Sequence, residues 1–183
     1  MEFTKMHGCG NNYIYFNCFD QTVPDPESLS IKLSEPHFGI GGDGIILISP
    51  SDKADAQMRI FNADGSEGKM CGNGIRCVGK YLYDNGMTDG RTTITIDTLS
   101  GVKTLELTVK DGKMQSARVD MGAAILAPRE IPVDMDGENV ISAPIVVDEK
   151  VYHMTCVSMG NPHCVIFQKE DVDDLDLTRI GPK

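Results

Sequence analysis

The chain has few cations and concentrates them nowhere: 17 Lys and Arg stand against 27 Asp and Glu, for a net charge of −10. Phosphate binding needs clustered Lys or Arg, so nucleic acid is excluded as a partner. No apolar stretch approaches the roughly 20 residues of a membrane span. The opening residues, Met1-Glu2-Phe3-Thr4-Lys5-Met6-His7-Gly8, lack the apolar core of a signal peptide, so the chain reads as cytoplasmic, with no membrane partner. No Cys-x-x-Cys pair occurs, which argues against zinc. The glycine-rich turn at residues 39–44 lacks a P-loop lysine and the spacing of a dinucleotide fingerprint, which argues against nucleotide. Fixed-period repeats and low-complexity tracts are also missing.

What is present is a packed globule: 183 residues, 40% apolar and 24% charged,. Tyr13-Ile14-Tyr15-Phe16-Asn17 reads as a strand. Asp25-Pro26-Glu27-Ser28 reads as a helix start, closed at Pro36. Ile45-Ile46-Leu47-Ile48 has the continuous apolar run of a central strand, and residues 56–61 give another. From Asn73 to Tyr83 the period becomes helical, with Ile75, Val78, Gly79 and Leu82 on one face and Asp84-Asn85-Gly86 as the stop. Residues 92–98 alternate as a strand. Asp111-Gly112 predicts a hairpin between strands at 105–109 and 114–121. Gly, Ala and Pro collect over residues 119–129, which places a boundary between a unit at 1–118 and a second at 119–183. The second unit holds strand patterns at 145–147, 151–157 and 163–167, and the start of an apolar stripe at Leu175, Leu177 and Ile180. It reads as incomplete.

Six cysteines (Cys9, Cys18, Cys71, Cys77, Cys156 and Cys164) in a chain without a secretion signal read as free thiols,. Met70-Cys71-Gly72-Asn73-Gly74-Ile75-Arg76-Cys77 carries the strongest chemical signal. A cysteine just before a helix meets unpaired backbone N–H groups and the positive end of the dipole, which favour ionised sulfur. Gly72 and Gly74 remove side chains, so that a carboxylate can approach the backbone. The plain alternative is a buried structural cysteine in a tight turn, a reading kept for Cys77.

Gly8-Cys9-Gly10-Asn11-Asn12, Asn62-Ala63-Asp64-Gly65 and Met159-Gly160-Asn161-Pro162-His163-Cys164 are further Gly/Asn turns. Each alone is an ordinary turn; together they supply short amides able to surround a zwitterion. His163 is the only histidine in such a turn and is a candidate for tuning a thiol. His7, His37 and His153 are read as structural.

These segments, with Lys5-Met6-His7-Gly8, Gly39-Ile40-Gly41-Gly42-Asp43-Gly44 and Phe61-Asn62-Ala63-Asp64-Gly65-Ser66-Glu67, resemble the diaminopimelate epimerase family, in its order and over essentially the whole chain. The resemblance implies an α+β fold of two similar units, each a curved mixed sheet around a central helix, with the second unit incomplete here. It implies interconversion of LL- and meso-diaminopimelate in lysine and peptidoglycan precursor synthesis, without pyridoxal phosphate, metal or other cofactor, in a homodimer. Two cysteines act, one removing the α-proton and one protonating the opposite face. Cys71 would be one base and His163 would modulate thiol acidity. Asn11, Asn62 and Asn161 would bind substrate, and Gly72 and Asn73 would hold its carboxylate. Cys9 stands where the family carries an apolar residue. The family's second cysteine, in an Ala-Cys-Gly-Thr-Gly-like segment preceded by Glu-Arg, has no counterpart, so the chain is expected to be truncated and to supply one base. Proline racemases share the cysteine-before-helix device, so a related racemase is one alternative. A non-catalytic ligand-binding fragment is another, and cysteine spacing argues against a thiol redox or metal protein.

Overall fold

The computed structural model describes residues 1–183, which divide into two compact units, Met1–Met121 and Gly122–Lys183. In the first unit, strands β1 (Thr4–Gly8), β2 (Asn11–Asn17), β3 (Gly44–Ser49), β4 (Ala56–Asn62), β6 (Thr93–Thr98), β7 (Gly101–Lys110) and β8 (Lys113–Val119) form one sheet in the order β1-β2-β3-β4-β6-β7-β8, with the short β5 (Glu67–Gly68) on β4. The sheet is mixed: β2–β3 and β4–β6 pair parallel, the other neighbours antiparallel.

Helices cover both faces of the central strands. α1 (Pro26–Ser34) begins where Asp25 caps the Ser28 N–H at 3.1 Å, as the Asp-Pro start predicts. α2 (Gly72–Asp84) begins at Gly72, one residue before the helix read from the sequence. The two-residue period of the strands sorts their apolar side chains between the helices. Tyr13, Tyr15, Ile46 and Ile48 join Ile75, Val78 and Leu82 of α2. Ile14, Phe16, Ile45, Leu47 and Phe61 form a separate layer with Leu29 and Leu33 of α1. Burial on both faces is why β2 and β3 read as unbroken apolar runs. The sheet curves around α2, which touches β1 and β8 at its two edges as well as β2 and β7.

The Asp111-Gly112 turn places both residues at positive φ, 53° and 71°, joining β7 to β8 as a two-residue hairpin requires,. β1 was not read from the sequence: Thr4, Lys5 and His7 are exposed and polar, and an edge strand of that kind has no apolar alternation,.

The second unit is a three-stranded antiparallel sheet, β11-β10-β9, of β9 (Val140–Val147), β10 (Lys150–Ser158) and β11 (Pro162–Ile166). Asp148 and Glu149 turn between β9 and β10, both at positive φ. Ile131, Val140 and Cys156 form its small core. Cys164 stands opposite Cys156 but is exposed. The short α3 (Leu177–Ile180) is its one α-helix, so this unit carries no central helix. The chain contains no helix long and apolar enough to cross a membrane.

Candidate functional site

Cys71 is the N-cap of α2, in extended backbone (φ −140°, ψ 107°), and its sulfur accepts the Gly74 N–H at 3.2 Å. The Asn11 amide nitrogen donates to the same sulfur at 3.6 Å. The buried Tyr13 belongs to the same apolar layer as Cys71. The half-buried thiol is thus met by one backbone amide and one side-chain amide, both donating to it. Burial, and then the neighbouring Cys71, push the Tyr13 hydroxyl up from 10.0 to about 12. Burial pushes the Tyr15 hydroxyl up as well, and burial likewise raises the Cys77 thiol. Cys77 is therefore held as a neutral core thiol.

The first turn of α2 presents Gly72 and Asn73, whose N–H groups have no intrahelical carbonyl to bond,. A Cβ on Gly72 would meet only Met121, at 3.9 Å, an ordinary contact. Gly74 differs from its sequence reading as an opening for ligand. It is buried, and a Cβ there would stand 2.7 Å from Ile46 Cδ1, so packing accounts for it. Arg76 fastens the turn, donating to the Gly72 carbonyl at 2.8 Å and to the Asn73 side chain, with Cys9 Sγ 3.5 Å from the same guanidinium.

Asn11 and Asn62 stand on one rim of the sheet. Asp43 ties together the residues that follow them: its carboxylate accepts the Asn12 N–H at 2.7 Å, and its carbonyl accepts the Ala63 N–H at 3.0 Å. Asn62 pairs with Gly44 across β3 and β4, and its side chain donates to Ser66 Oγ at 3.0 Å. Ser30 of α1 donates to the Asn62 carbonyl at 2.7 Å, so the outer helix holds this corner.

Asn161 and His163 belong to the second unit, where the His163 ring nitrogen lies 3.2 Å from Asn161 Oδ1. Both are exposed on the hairpin from β10 to β11. No group of three or more His, Cys, Asp or Glu is placed to hold a metal ion.

Two residues of the Cys71 surroundings escaped the sequence reading, Tyr13 and Arg76. Arg76 was legible in principle, since three- and four-residue spacing places it over Asn73 and Gly72. Tyr13 was read only as a strand former, yet two residues beyond Asn11 it must share Asn11's face of the strand.

A curved mixed sheet around one helix is the proline racemase and epimerase class of fold. A hydroxyproline epimerase from Agrobacterium vitis with bound trans-4-hydroxy-L-proline aligns with a TM-score of 0.67 at 17% identity, over 98% of this chain and 52% of that one. The family model for diaminopimelate epimerase matches residues 3–127. The diaminopimelate epimerase of Acetivibrio thermocellus is 56% identical over 183 residues, covering this whole chain and 65% of that protein. That of Methanococcus maripaludis is 53% identical over 182 residues, covering 65% of its length. This chain belongs to the diaminopimelate epimerase family. It spans about 65% of the length of those relatives.

Proposed function

We propose that the protein to which this chain belongs interconverts LL- and meso-diaminopimelate by cofactor-independent two-base transfer of the α-proton. The observation that carries the reading is the Cys71 sulfur at the start of α2, surrounded by hydrogen-bond donors. An α-proton beside an ammonium and a carboxylate is only weakly acidic. Its removal therefore needs a basic group on one face and charge stabilisation at the carboxylate. The Gly72 and Asn73 amides would hold that carboxylate. The Cys71 thiolate would take the proton, breaking Cα–H and forming S–H, and a thiol on the opposite face would return one to carbon. Asn11 and Asn62 in the first unit, and Asn161 with His163 in the second, would fix the remaining polar groups, His163 modulating thiol acidity. The family resemblance assigns the second thiol to an Ala-Cys-Gly-Thr-Gly-like segment, which these 183 residues do not contain. The two units correspond in this reading to an N-terminal epimerase domain and part of a C-terminal one, in a cytoplasmic homodimer that supplies lysine and peptidoglycan synthesis.

Incubation with meso-diaminopimelate in D₂O, alongside iodoacetamide labelling of Cys71, tests this. The expected result is slower Cys71 labelling with substrate and α-deuterium incorporation that Cys71→Ser abolishes. Labelling unaffected by saturating substrate, with no deuterium incorporated, overturns it. The 65% coverage of the relatives favours one second reading for the isolated chain, a binding fragment, which predicts protection of Cys71 without deuterium.

A further inference from the structure

Cys156 and Cys164 are brought together by the turn from β10 to β11. They stand directly opposite each other in the antiparallel pair, between Thr155↔Val165 and Val157↔His163. Opposed residues of such a pair alternate between hydrogen-bonded positions, with Cα atoms about 5.5 Å apart, and non-hydrogen-bonded positions at about 4.5 Å. The neighbouring hydrogen bonds decide which kind this is. Ser158 donates to Ile125 at 3.0 Å and accepts from it at 2.9 Å, on the side of β10 away from β11. Its opposite residue on β11, Pro162, has no N–H to give,. Backbone groups alternate sides along a strand, so Cys156, two residues before Ser158, also turns its N–H and C=O away from β11. Cys156 and Cys164 therefore form a close, non-hydrogen-bonded pair with both side chains on one face. Cys164 Sγ lies 3.9 Å from the sulfur of Met154, which shares that face of β10,.

We propose that Cys156 and Cys164 are a redox modification site, closing reversibly into a disulfide that ties β11 to β10. A Cα separation of about 4.5 Å falls inside the roughly 4.4–6.8 Å that a disulfide spans. β11 is an edge strand whose residues 162–165 are exposed, so nothing on its outer side opposes the small adjustment that bond formation asks. The two thiols differ in access: Cys164 is exposed, Cys156 only 3% so. Burial, and then the adjacent Cys164, also push the Cys156 thiol up. Cys164 is accordingly the sulfur that meets an oxidant first. With a small disulfide such as oxidised glutathione, the Cys164 thiolate attacks one sulfur, breaking that S–S bond and releasing one glutathione thiolate. The Cys156 thiolate then attacks Cys164 Sγ in the mixed disulfide and releases the second. Two electrons pass from the protein to oxidised glutathione, and the two cysteine protons end on the two glutathione thiols. The new bond closes the hairpin that carries Asn161 and His163 at its base. Cys71 takes part in no step.

The test is the thiol state of the full 183-residue chain equilibrated with reduced and oxidised glutathione, quenched in acid, then alkylated in urea and digested without reductant. Trypsin leaves both cysteines on the one peptide between Lys150 and Lys169, so the internal disulfide reads as an unalkylated peptide lighter by two hydrogens. Both thiols are expected to be lost together as the oxidised fraction rises, and to return together with dithiothreitol. In Cys156→Ala, Cys164 is expected to accumulate as the glutathione adduct; in Cys164→Ser, Cys156 is expected to stay reduced. The same titration in urea is expected to need a glutathione ratio about tenfold more oxidising, because unfolding removes the register that holds the sulfurs together. The wild-type readout stands whether or not the alanine variant folds. A glutathione adduct that persists on wild-type Cys164, a cross-link between two chains, thiols that stay reduced at every ratio, or an equal ratio in urea overturns the inference.

Discussion

Gly8, the last residue of β1, lies so close to the start of α2 that a Cβ on it would stand 2.8 Å from the Asn73 carbonyl oxygen. The edge strand thereby sets the position of the turn that carries Cys71, Gly72 and Asn73. Because the opposing atom is backbone, a methyl group at Gly8 must displace that turn. Gly8→Ala is expected to cost about 1–3 kcal/mol of stability, measured by urea unfolding. In substrate protection of Cys71, a displacement of order 1 Å is expected to weaken the effect far more than the stability loss implies.

Cys71 serves as a helix cap, and serine is the better capping residue. Cys71→Ser is therefore expected to keep or slightly raise the melting temperature while abolishing proton exchange. Cys71→Ala, which removes the acceptor of the Gly74 N–H, is expected to be about 1 kcal/mol less stable than the serine variant. Thermal unfolding of the two variants side by side checks both points.

The Asp55 carboxylate bonds Arg91 at 2.7 Å and the Thr95 N–H at 2.7 Å. Burial pushes its carboxyl up, but the bonds to Arg91 and Thr95 outweigh this and hold it below the usual carboxylate range. A depressed folded-state value stabilises the protein above the unfolded value, near 4, and the contribution is lost as pH falls through the folded one. Urea midpoints between pH 6 and pH 2.5 are expected to fall less steeply in Asp55→Asn than in the wild type.

Gly44, at φ 149°, would carry a Cβ 2.1 Å from the Phe61 carbonyl oxygen, whereas Gly112, at φ 71°, has open space around it. Gly44→Ala is expected to be severely destabilising, by about 3 kcal/mol or more, because backbone must move between β3 and β4. Gly112→Ala is expected to cost about 1 kcal/mol, from conformation alone. Denaturation midpoints distinguish the two.

The sequence made the first unit's interior legible because its apolar runs and periods are strong: β2, β3 and α2 lie within a residue or two of the expected positions. Cys71 at a helix start was legible for the same reason, since glycines and a change of period mark the boundary. β1 was not, because a polar edge strand is held by backbone pairing with β2 rather than by an apolar face. The neighbours of Cys71 were half legible. Asn11 stood out as part of a Gly/Asn turn, while Tyr13 looked like any aromatic strand residue, though it lies in the same buried layer as Cys71. Gly74 misled in the other direction, since sequence does not distinguish a glycine that admits ligand from one that admits Ile46.

Ile75, Val78 and Leu82, all but sealed from solvent, belong to the same helix that Cys71 begins. The sulfur proposed as the base is thus mounted on the structural spine of its unit rather than on a pliable surface loop. On heating, its chemical competence should survive until the spine itself gives way, so that inactivation and loss of tertiary structure coincide at a single temperature.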